Sequence, residues 1–380
     1  MNRYEIKVLI VEDKKDHIQV LEDTIEEFNE SNENYLIKYK TSSTYEDSLS
    51  ILLEDDFDVA IIDLSLSNTR LSGETLEGNK LINIITKKLR IPIIVRSGHP
   101  EDAKPDDLND DNEFYKVYSK SEDASEILNQ IKTWIESGLS QALKASGPIE
   151  EYLQNIFWVH FSENFNQWNS IEDKSTQQKS LLRYTFYLLQ EYLGINGEDG
   201  SFEPFHSAEF YIYPPVRNNL FFGDILSHND EYYFILTPAC EMAQEKYSKV
   251  LLAKITNFED VSGFSSTKQQ FFDAMKQYTD SEMDVPKKVT KSRDELARWF
   301  RNGHSNSLGY HFIPPYSDFP GGFIDFQQLV SISPDDFPYQ KILTVSSQFS
   351  KDVSSRFSLY YARQGQPNLN PDTIINILSS

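Results

Sequence analysis

The chain has 380 residues, of which 36 are basic and 59 acidic, giving a net charge of −23 at pH 7. This length fits two or three domains, and 39% hydrophobic residues suffice for packed cores, so a wholly disordered chain is excluded. Residues 1–145 carry 30 acidic and 17 basic side chains, and residues 146–380 carry 29 and 19. Because phosphate contacts draw on clustered Lys and Arg, acidity in both parts disfavours nucleic-acid binding.

The sequence also predicts the cellular location of the protein. No apolar run approaches the roughly 20 residues needed to span a bilayer, and the N-terminal residues lack the pattern of a signal peptide. Cys240 is the single cysteine, so an internal disulfide and a thiolate metal cluster are both excluded. We therefore expect a cytoplasmic protein with no membrane association.

The first part of the chain alternates apolar runs with amphipathic segments. Helical spacing of apolar residues occurs at about 15–29, 45–54 and 77–89, and again from about 123. Between them lie runs typical of buried strands: IKVLIV (6–11), YLIKYK (35–40), DVAIID (58–63), IPIIVRSG (91–98) and FYKVYS (114–119). Five strands alternating with helices predict an α/β fold, a doubly wound parallel sheet of the flavodoxin (βα)5 type.

The remainder of the chain changes character twice. Residues 123–194 have a helical pattern with a break at Ser146-Gly147-Pro148, and two apolar stripes predict that Trp134 and Trp158 are buried against a partner surface. From about residue 205 short β-rich runs alternate with Pro and Gly, around a helical insert at roughly 267–302. We predict three domains: 1–140, a helical linker or bundle at 141–200, and a β-rich small barrel at 201–380.

Polar residues follow the predicted strands at the points where the strands end. Glu12 and Asp13 follow the first strand, Asp63 ends the third, Ser97 follows the fourth, and Lys120 follows the fifth. In a parallel sheet these ends share one edge, beside the position where strand order reverses. Three adjacent carboxylates favour Mg²⁺, while an ammonium and a hydroxyl could bind an incoming phosphoryl group. The pattern therefore predicts a site that phosphorylates a carboxylate.

With these motifs, residues 5–140 resemble the receiver domain of two-component response regulators. The motifs are VLIVEDK, AIIDLSL, IIVRSG and VYSK, in the order and on the strands where the family has them. The resemblance implies an aspartyl phosphate on Asp63, with Ser97 and Lys120 contacting the phosphate. It also implies a Mg²⁺ ion held by four residues: Glu12, Asp13, Asp63 and the carbonyl of Ser65.

Three departures from the family pattern affect the surroundings of this site. The loop LSLSNTRLSGETLEG after Asp63 is long and lacks the usual Met-Pro, and Ser121 stands where a cis-proline is usual. The usual switch aromatic is replaced by Val117, with Tyr118 one position late. The first two departures leave the chemistry intact, whereas the third puts the family's hydroxyl–aromatic switching in question.

The C-terminal part offers a second, shorter resemblance. FFGDILSHNDEYYFILTPACEMA is similar to the opening hairpin of the SH3-like barrel of PemK/MazF toxins, which cut RNA. The arginine expected before the second strand is replaced by Tyr232-Tyr233, which removes the charge stabiliser of a cleaved phosphodiester. We therefore expect a barrel without nuclease activity, and Cys240 as a buried small side chain rather than a nucleophile.

Together these patterns predict a phosphorelay response regulator that signals through a C-terminal domain binding protein rather than DNA. The expected partner is a histidine kinase or a histidine-kinase-like ATPase, and a homodimer is an open expectation. Receivers with uncommon C-terminal regions resemble those of bacterial conflict or phage-defence systems. No enzymatic activity is expected beyond phosphoacceptance and autodephosphorylation. The alternatives are a receiver-controlled effector enzyme such as a ribonuclease, and a phosphate-independent scaffold.

Overall fold

The chain forms two compact units in the computed structural model, residues 1–202 and residues 203–380. The structure describes residues 3–66, 76–106, 108, 112–144, 146–194, 204–278, 285–363 and 367–379. Most of the long loop predicted after Asp63 therefore lies outside the described residues.

The first unit is built on a five-stranded parallel sheet with the strand order β2-β1-β3-β4-β5. The strands are β1 (Tyr4–Val11), β2 (Tyr35–Ser42), β3 (Val59–Ile62), β4 (Ile93–Ser97) and β5 (Tyr115–Ser119). The helices around it are α1 (Lys15–Ser31), α2 (Tyr45–Glu54), α3 (Glu77–Lys88) and α4 (Ala124–Glu136). This order is that of the flavodoxin type, so the predicted fold of this part is confirmed.

Both faces of this sheet are covered by helices. Along β1, Val8 and Ile10 face the cluster formed with α1 and α4, whereas Leu9 and Val11 face the cluster formed with α3. All four side chains are at most 1% exposed. Burial on both faces explains why the strands are continuous apolar runs rather than alternating ones.

A helical hairpin follows the sheet. Its elements are α5 (Leu139–Leu143), α6 (Pro148–Asn155), a π-helical turn (Ile156–Phe161), α7 (Phe165–Asn169) and α8 (Lys174–Gly194). Ring contacts set the two arms antiparallel, with centroids of Tyr152 and Tyr192 5.5 Å apart and those of Trp168 and Tyr184 5.1 Å apart.

The two tryptophans of the predicted apolar stripes have different surroundings. Trp134 is 4% exposed within the sheet core and donates its indole N–H to the Glu113 carbonyl at 2.9 Å. Trp158 is 72% exposed. The predicted burial is thus met inside the single chain for Trp134 and is not met there for Trp158.

The second unit contains a seven-stranded antiparallel sheet with the order β10-β11-β9-β8-β7-β12-β6. The strands are β6 (Tyr211–Ile212), β7 (Asp224–His228), β8 (Glu231–Ile235), β9 (Val250–Thr256), β10 (Tyr310–Ile313), β11 (Gly322–Ile332) and β12 (Gln340–Val345). Its helices are α9 (Ala239–Ala243), α10 (Ser262–Lys276), α11 (Lys287–Phe300), α12 (Ser347–Ala362) and α13 (Pro371–Leu378). The predicted β-rich character and helical insert are present.

A tight turn joins β7 to β8, as the sequence pattern predicted. Asn229 and Asp230 have φ angles of 50° and 61°, which is the backbone of a type I′ hairpin turn. Cys240, expected to be buried, is exposed on α9. That expectation was wrong because the residues after β8 leave the sheet and form a short surface helix. Among the described residues, no helix is long and apolar enough to cross a membrane.

Candidate functional site

Three carboxylates meet at the carboxyl edge of the parallel sheet. Glu12 and Asp13 directly follow β1, and Asp63 directly follows the neighbouring strand β3. One oxygen from each lies within 4.8 Å of the others, and Glu12 and Asp63 are only 3% and 4% exposed. Carboxylates cannot stay this close and this dry unless cations compensate their charge.

Lys120 supplies one such cation. Its ammonium lies 2.6 Å from a Glu12 oxygen and 2.9 Å from Oδ2 of Asp63, and the Lys120 side chain is 12% exposed. The backbone of Lys120 is held in place because its amide donates a hydrogen bond to the Ser97 carbonyl, at the end of β4, at 3.0 Å. Lys120 therefore bridges the acids that follow β1 and β3 from its position after β5.

The donor set fits a hard divalent cation. Oδ1 of Asp13 is buried without a hydrogen-bond partner, while the same residue shares the cluster with Glu12 and Asp63. A buried carboxylate oxygen without a partner is costly, and a metal ion bound at the carboxylates would satisfy it. Oxygen ligands of this kind suit Mg²⁺.

The remaining predicted site residues lie at the same edge. Ser97 is the last residue of β4 and is 4% exposed, and its hydroxyl accepts a hydrogen bond from the His99 amide at 3.1 Å. Ser65 is half-buried two residues after Asp63. Val117, at the position of the usual switch aromatic, is 38% exposed. Tyr118, the next residue, packs against the core under α1 and α4.

Two basic residues of this pocket were missed by sequence reasoning. Nδ1 of His17, in the first turn of α1, lies 2.9 Å from the Lys120 ammonium and 3.4 Å from Glu12. Arg96 is 4% exposed, its Nη1 lies 3.4 Å from the His17 carbonyl, and its Nε has no partner. Burial lowers the pKa of Arg96, against the opposing attraction of Glu12 and Asp63. An arginine inside the apolar run IPIIVRSG was the signal that could have revealed it.

Gly78, at the start of α3, lies against the backbone of Asp63 and Leu64, directly after β3. A Cβ at this position would lie 2.4 Å from the Asp63 carbonyl oxygen and 2.5 Å from Cα of Leu64. The Gly78 amide donates to the Leu64 carbonyl at 3.1 Å. Only glycine permits this approach, so Gly78 fixes the backbone that carries Asp63.

The predicted nuclease-like hairpin carries Tyr232 and Tyr233 at the position of the missing arginine, and the cation across from Tyr233 is Lys254 of β9, which pairs with Glu231. Tyr233 is 7% exposed and donates its hydroxyl to Glu231 at 2.5 Å. Burial, then the neighbouring Glu231, raises the pKa of Tyr233 to about 12. The hydroxyl therefore stays neutral at pH 7 and cannot replace the charge of arginine.

Solved structures similar to this chain match its N-terminal third. A Francisella response-regulator receiver domain has 18% identity and a TM-score of 0.25, covering 35% of this chain and 98% of its own. The response regulator TrrA of Thermotoga maritima, solved with Mg²⁺-BeF, has 22% identity and a TM-score of 0.24, with 34% and 98% covered. CheY4 of Vibrio cholerae has 15% identity and a TM-score of 0.23, also with 34% and 98% covered. No family model and no curated protein matches the chain.

Proposed function

We propose that this protein is a response regulator that accepts a phosphoryl group on Asp63. The observation that carries the proposal is the cluster of Glu12, Asp13 and Asp63, with ligand oxygens within 4.8 Å of one another and Lys120 on two of them. Buried carboxylates at hydrogen-bonding distance from an ammonium are suited to phosphoryl transfer to a carboxylate.

The roles follow from the positions of the side chains. An Asp63 carboxylate oxygen attacks the phosphorus of a phosphohistidine on the donor protein, and an O–P bond forms. The P–N bond of the phosphohistidine breaks, and the leaving imidazole nitrogen takes a proton. Lys120, already 2.9 Å from Asp63, pairs with the phosphoryl oxygens as their charge arrives. The Ser97 hydroxyl donates to the same group. A Mg²⁺ ion, held by Glu12, Asp13, Asp63 and the Ser65 carbonyl, supplies charge neutralisation when bound.

We propose that the donor is a histidine kinase or a histidine-kinase-like ATPase and that the output is protein binding. Residues 1–140 form the receiver in this proposal, 141–200 connect it, and 201–380 carry the output. The net negative charge of the chain and the absence of an arginine in the β7–β8 hairpin favour protein binding over a nucleic-acid output. A role in bacterial conflict or phage defence extends the same proposal, which predicts a kinase gene beside this one.

The test is incubation with a small phosphodonor and Mg²⁺, followed by intact-mass measurement. We expect one added phosphoryl group on the wild type and none on Asp63→Asn. Asp106→Asn is the matched control because its side chain is 61% exposed and stands outside the cluster. An unmodified wild type, or a modified Asp63→Asn, would reject the proposal.

A phosphate-independent scaffold is the second candidate, and one observation favours it. Lys120 pairs with Glu12 and Asp63, and the attraction of the same two acids acts on the buried Arg96, so the chain itself compensates part of the carboxylate charge. A scaffold requires no phosphoryl group, and its partner binding would be the same for wild type and Asp63→Ala. A difference between these two proteins in partner binding would exclude the scaffold.

A further inference from the structure

The helical hairpin presents an apolar face that no described residue covers. The face consists of five exposed side chains on the two arms: Phe157, Trp158, Phe165, Leu182 and Phe186. Their exposed fractions run from 58% to 72%. Exposed apolar patches of this size on soluble proteins mark interaction sites.

The second arm shows that this face is additional to the packing within the hairpin. On α8, Leu181, Tyr184, Leu188 and Tyr192 are half-buried and follow one another at three and four residues, which is the row facing the first arm. Leu182 and Phe186 form another row, rotated by roughly a third of a turn at 100° per residue. A helix with two apolar rows has room for two neighbours, and the first arm is one of them.

The first arm also carries exposed aromatic residues. Phe157 and Trp158, in the π-helical turn, are in mutual ring contact at 5.1 Å, and Phe165 begins α7 seven residues after Trp158. Both arms therefore expose aromatic rings in addition to those that pack between them.

The charges of the two arms are opposite. Residues 148–169 contain three acids and no Lys or Arg, a net charge of −3. Residues 174–194 contain three bases and one acid, a net charge of +2. A second hairpin related by a two-fold axis that runs parallel to the arms places the acidic arm of each copy opposite the basic arm of the other. In this arrangement the facing arms carry net charges of opposite sign.

The available area also suits a pair of hairpins. Four aromatic rings of roughly 200 Å² each, about two-thirds exposed, offer on the order of 500 Å² per copy, and Leu182 adds to it. A standard interface buries about 800 Å² per partner. We propose that this face binds a second copy of the chain and forms a four-helix bundle at residues 148–194. This assembly does not depend on phosphoryl transfer at Asp63.

The first test is the oligomeric state of the full chain by analytical ultracentrifugation, with the emission of Trp158 obtained as the difference between the wild type and Trp158→Phe because the chain has four tryptophans. We expect a dimer at micromolar concentration, with emission that shifts to shorter wavelength as the dimer forms. Trp158→Ser with Phe186→Ser should weaken dimerisation at least tenfold. Leu359→Ser is the matched control because Leu359 is 70% exposed on α12, outside the hairpin, and it should leave the dimer intact.

Charge reversal separates a self-complementary pair from nonspecific association. One variant reverses the acidic arm and the other reverses the basic arm: Glu150→Lys, Glu151→Lys and Glu163→Lys in the first, and Lys174→Glu, Lys179→Glu and Arg183→Glu in the second. At low salt each variant alone should be monomeric, and the equimolar mixture should form a heterodimer.

Three outcomes would overturn the proposal. A wild type that stays monomeric with solvent-exposed Trp158 means that the face has another partner, and a monomer with shielded Trp158 means that the same chain covers it. A dimer that survives Trp158→Ser with Phe186→Ser uses a different surface. A mixture of the two charge variants that stays monomeric, while circular dichroism shows both folded, excludes the pairing of opposite arms.

Discussion

Replacing Lys120 by methionine should destabilise the metal-free protein strongly, and Mg²⁺ should restore most of the loss. The Lys120 ammonium lies 2.6 Å from Glu12 and 2.9 Å from Asp63, and each carboxylate side chain is 5% exposed. Removing one partner of a buried ion pair costs about 3–5 kcal/mol because the other charge is left without compensation. At about 2–4 °C per kcal/mol for a unit of this size, the melting temperature should fall by about 10 °C.

The assay is calorimetric melting of the full chain at pH 7.5, with chelator and with millimolar Mg²⁺. Because Mg²⁺ takes over the compensation of the acids, it should raise the melting temperature of Lys120→Met more than that of the wild type. Lys116→Met is the matched control on the same strand, since its partner Glu113 is 82% exposed and such pairs contribute about 0–1 kcal/mol. A Lys120→Met protein that melts within about 2 °C of wild type in chelator would refute the reasoning, as would an equal Mg²⁺ shift for both.

Further predictions concern the metal, acid and the coupling of the two units. Mg²⁺ should raise the wild-type melting temperature because it relieves the repulsion between the carboxylates. Glu12→Gln with Asp13→Asn should abolish that shift because the neutral amides do not repel one another, and an unchanged shift would place the metal elsewhere. The hydrogen bond from His311, then that from Arg356, lowers the pKa of Asp352 to about 2. This contribution to stability is present above about pH 4 and is lost as the pH falls toward 2, so Asp352→Asn should flatten acid unfolding of the second unit between those values. Phosphorylation of Asp63 should change hydrogen exchange in residues 114–140 and in 205–360, and unchanged protection at full modification would show that the receiver does not control the rest of the chain.

The strand ends of the first unit were predictable because burial on both faces makes the strands continuous apolar runs. In such runs an acid or lysine stands out at the point where the strand leaves the core, as Asp63 and Lys120 do. The same reasoning missed His17, because a histidine in a surface helix has no periodic signal. Arg96 did leave a signal, an arginine inside an apolar run, but a strand pattern does not show which charges act on it. In the structure these charges are Glu12 and Asp63.

The second unit was less predictable because its sheet is assembled from distant segments. Strand β12 pairs with β7, more than a hundred residues earlier, and β6 reaches the sheet only through β12. Local patterns indicated the hairpin at Asn229-Asp230 but could not give the order of seven strands. Trp158 illustrates the same limit, since an apolar stripe predicts that something covers a face without indicating whether the cover belongs to the same chain.

The most direct test of the central claim is to locate the phosphoryl group on the chain. After treatment with a small phosphodonor and Mg²⁺, borohydride reduces an aspartyl phosphate to homoserine, and peptide mass mapping then identifies the converted position. The account predicts homoserine at residue 63 alone, with none in Asp63→Asn. Conversion at another aspartate, or none at all in a folded and Mg²⁺-loaded wild type, would contradict it.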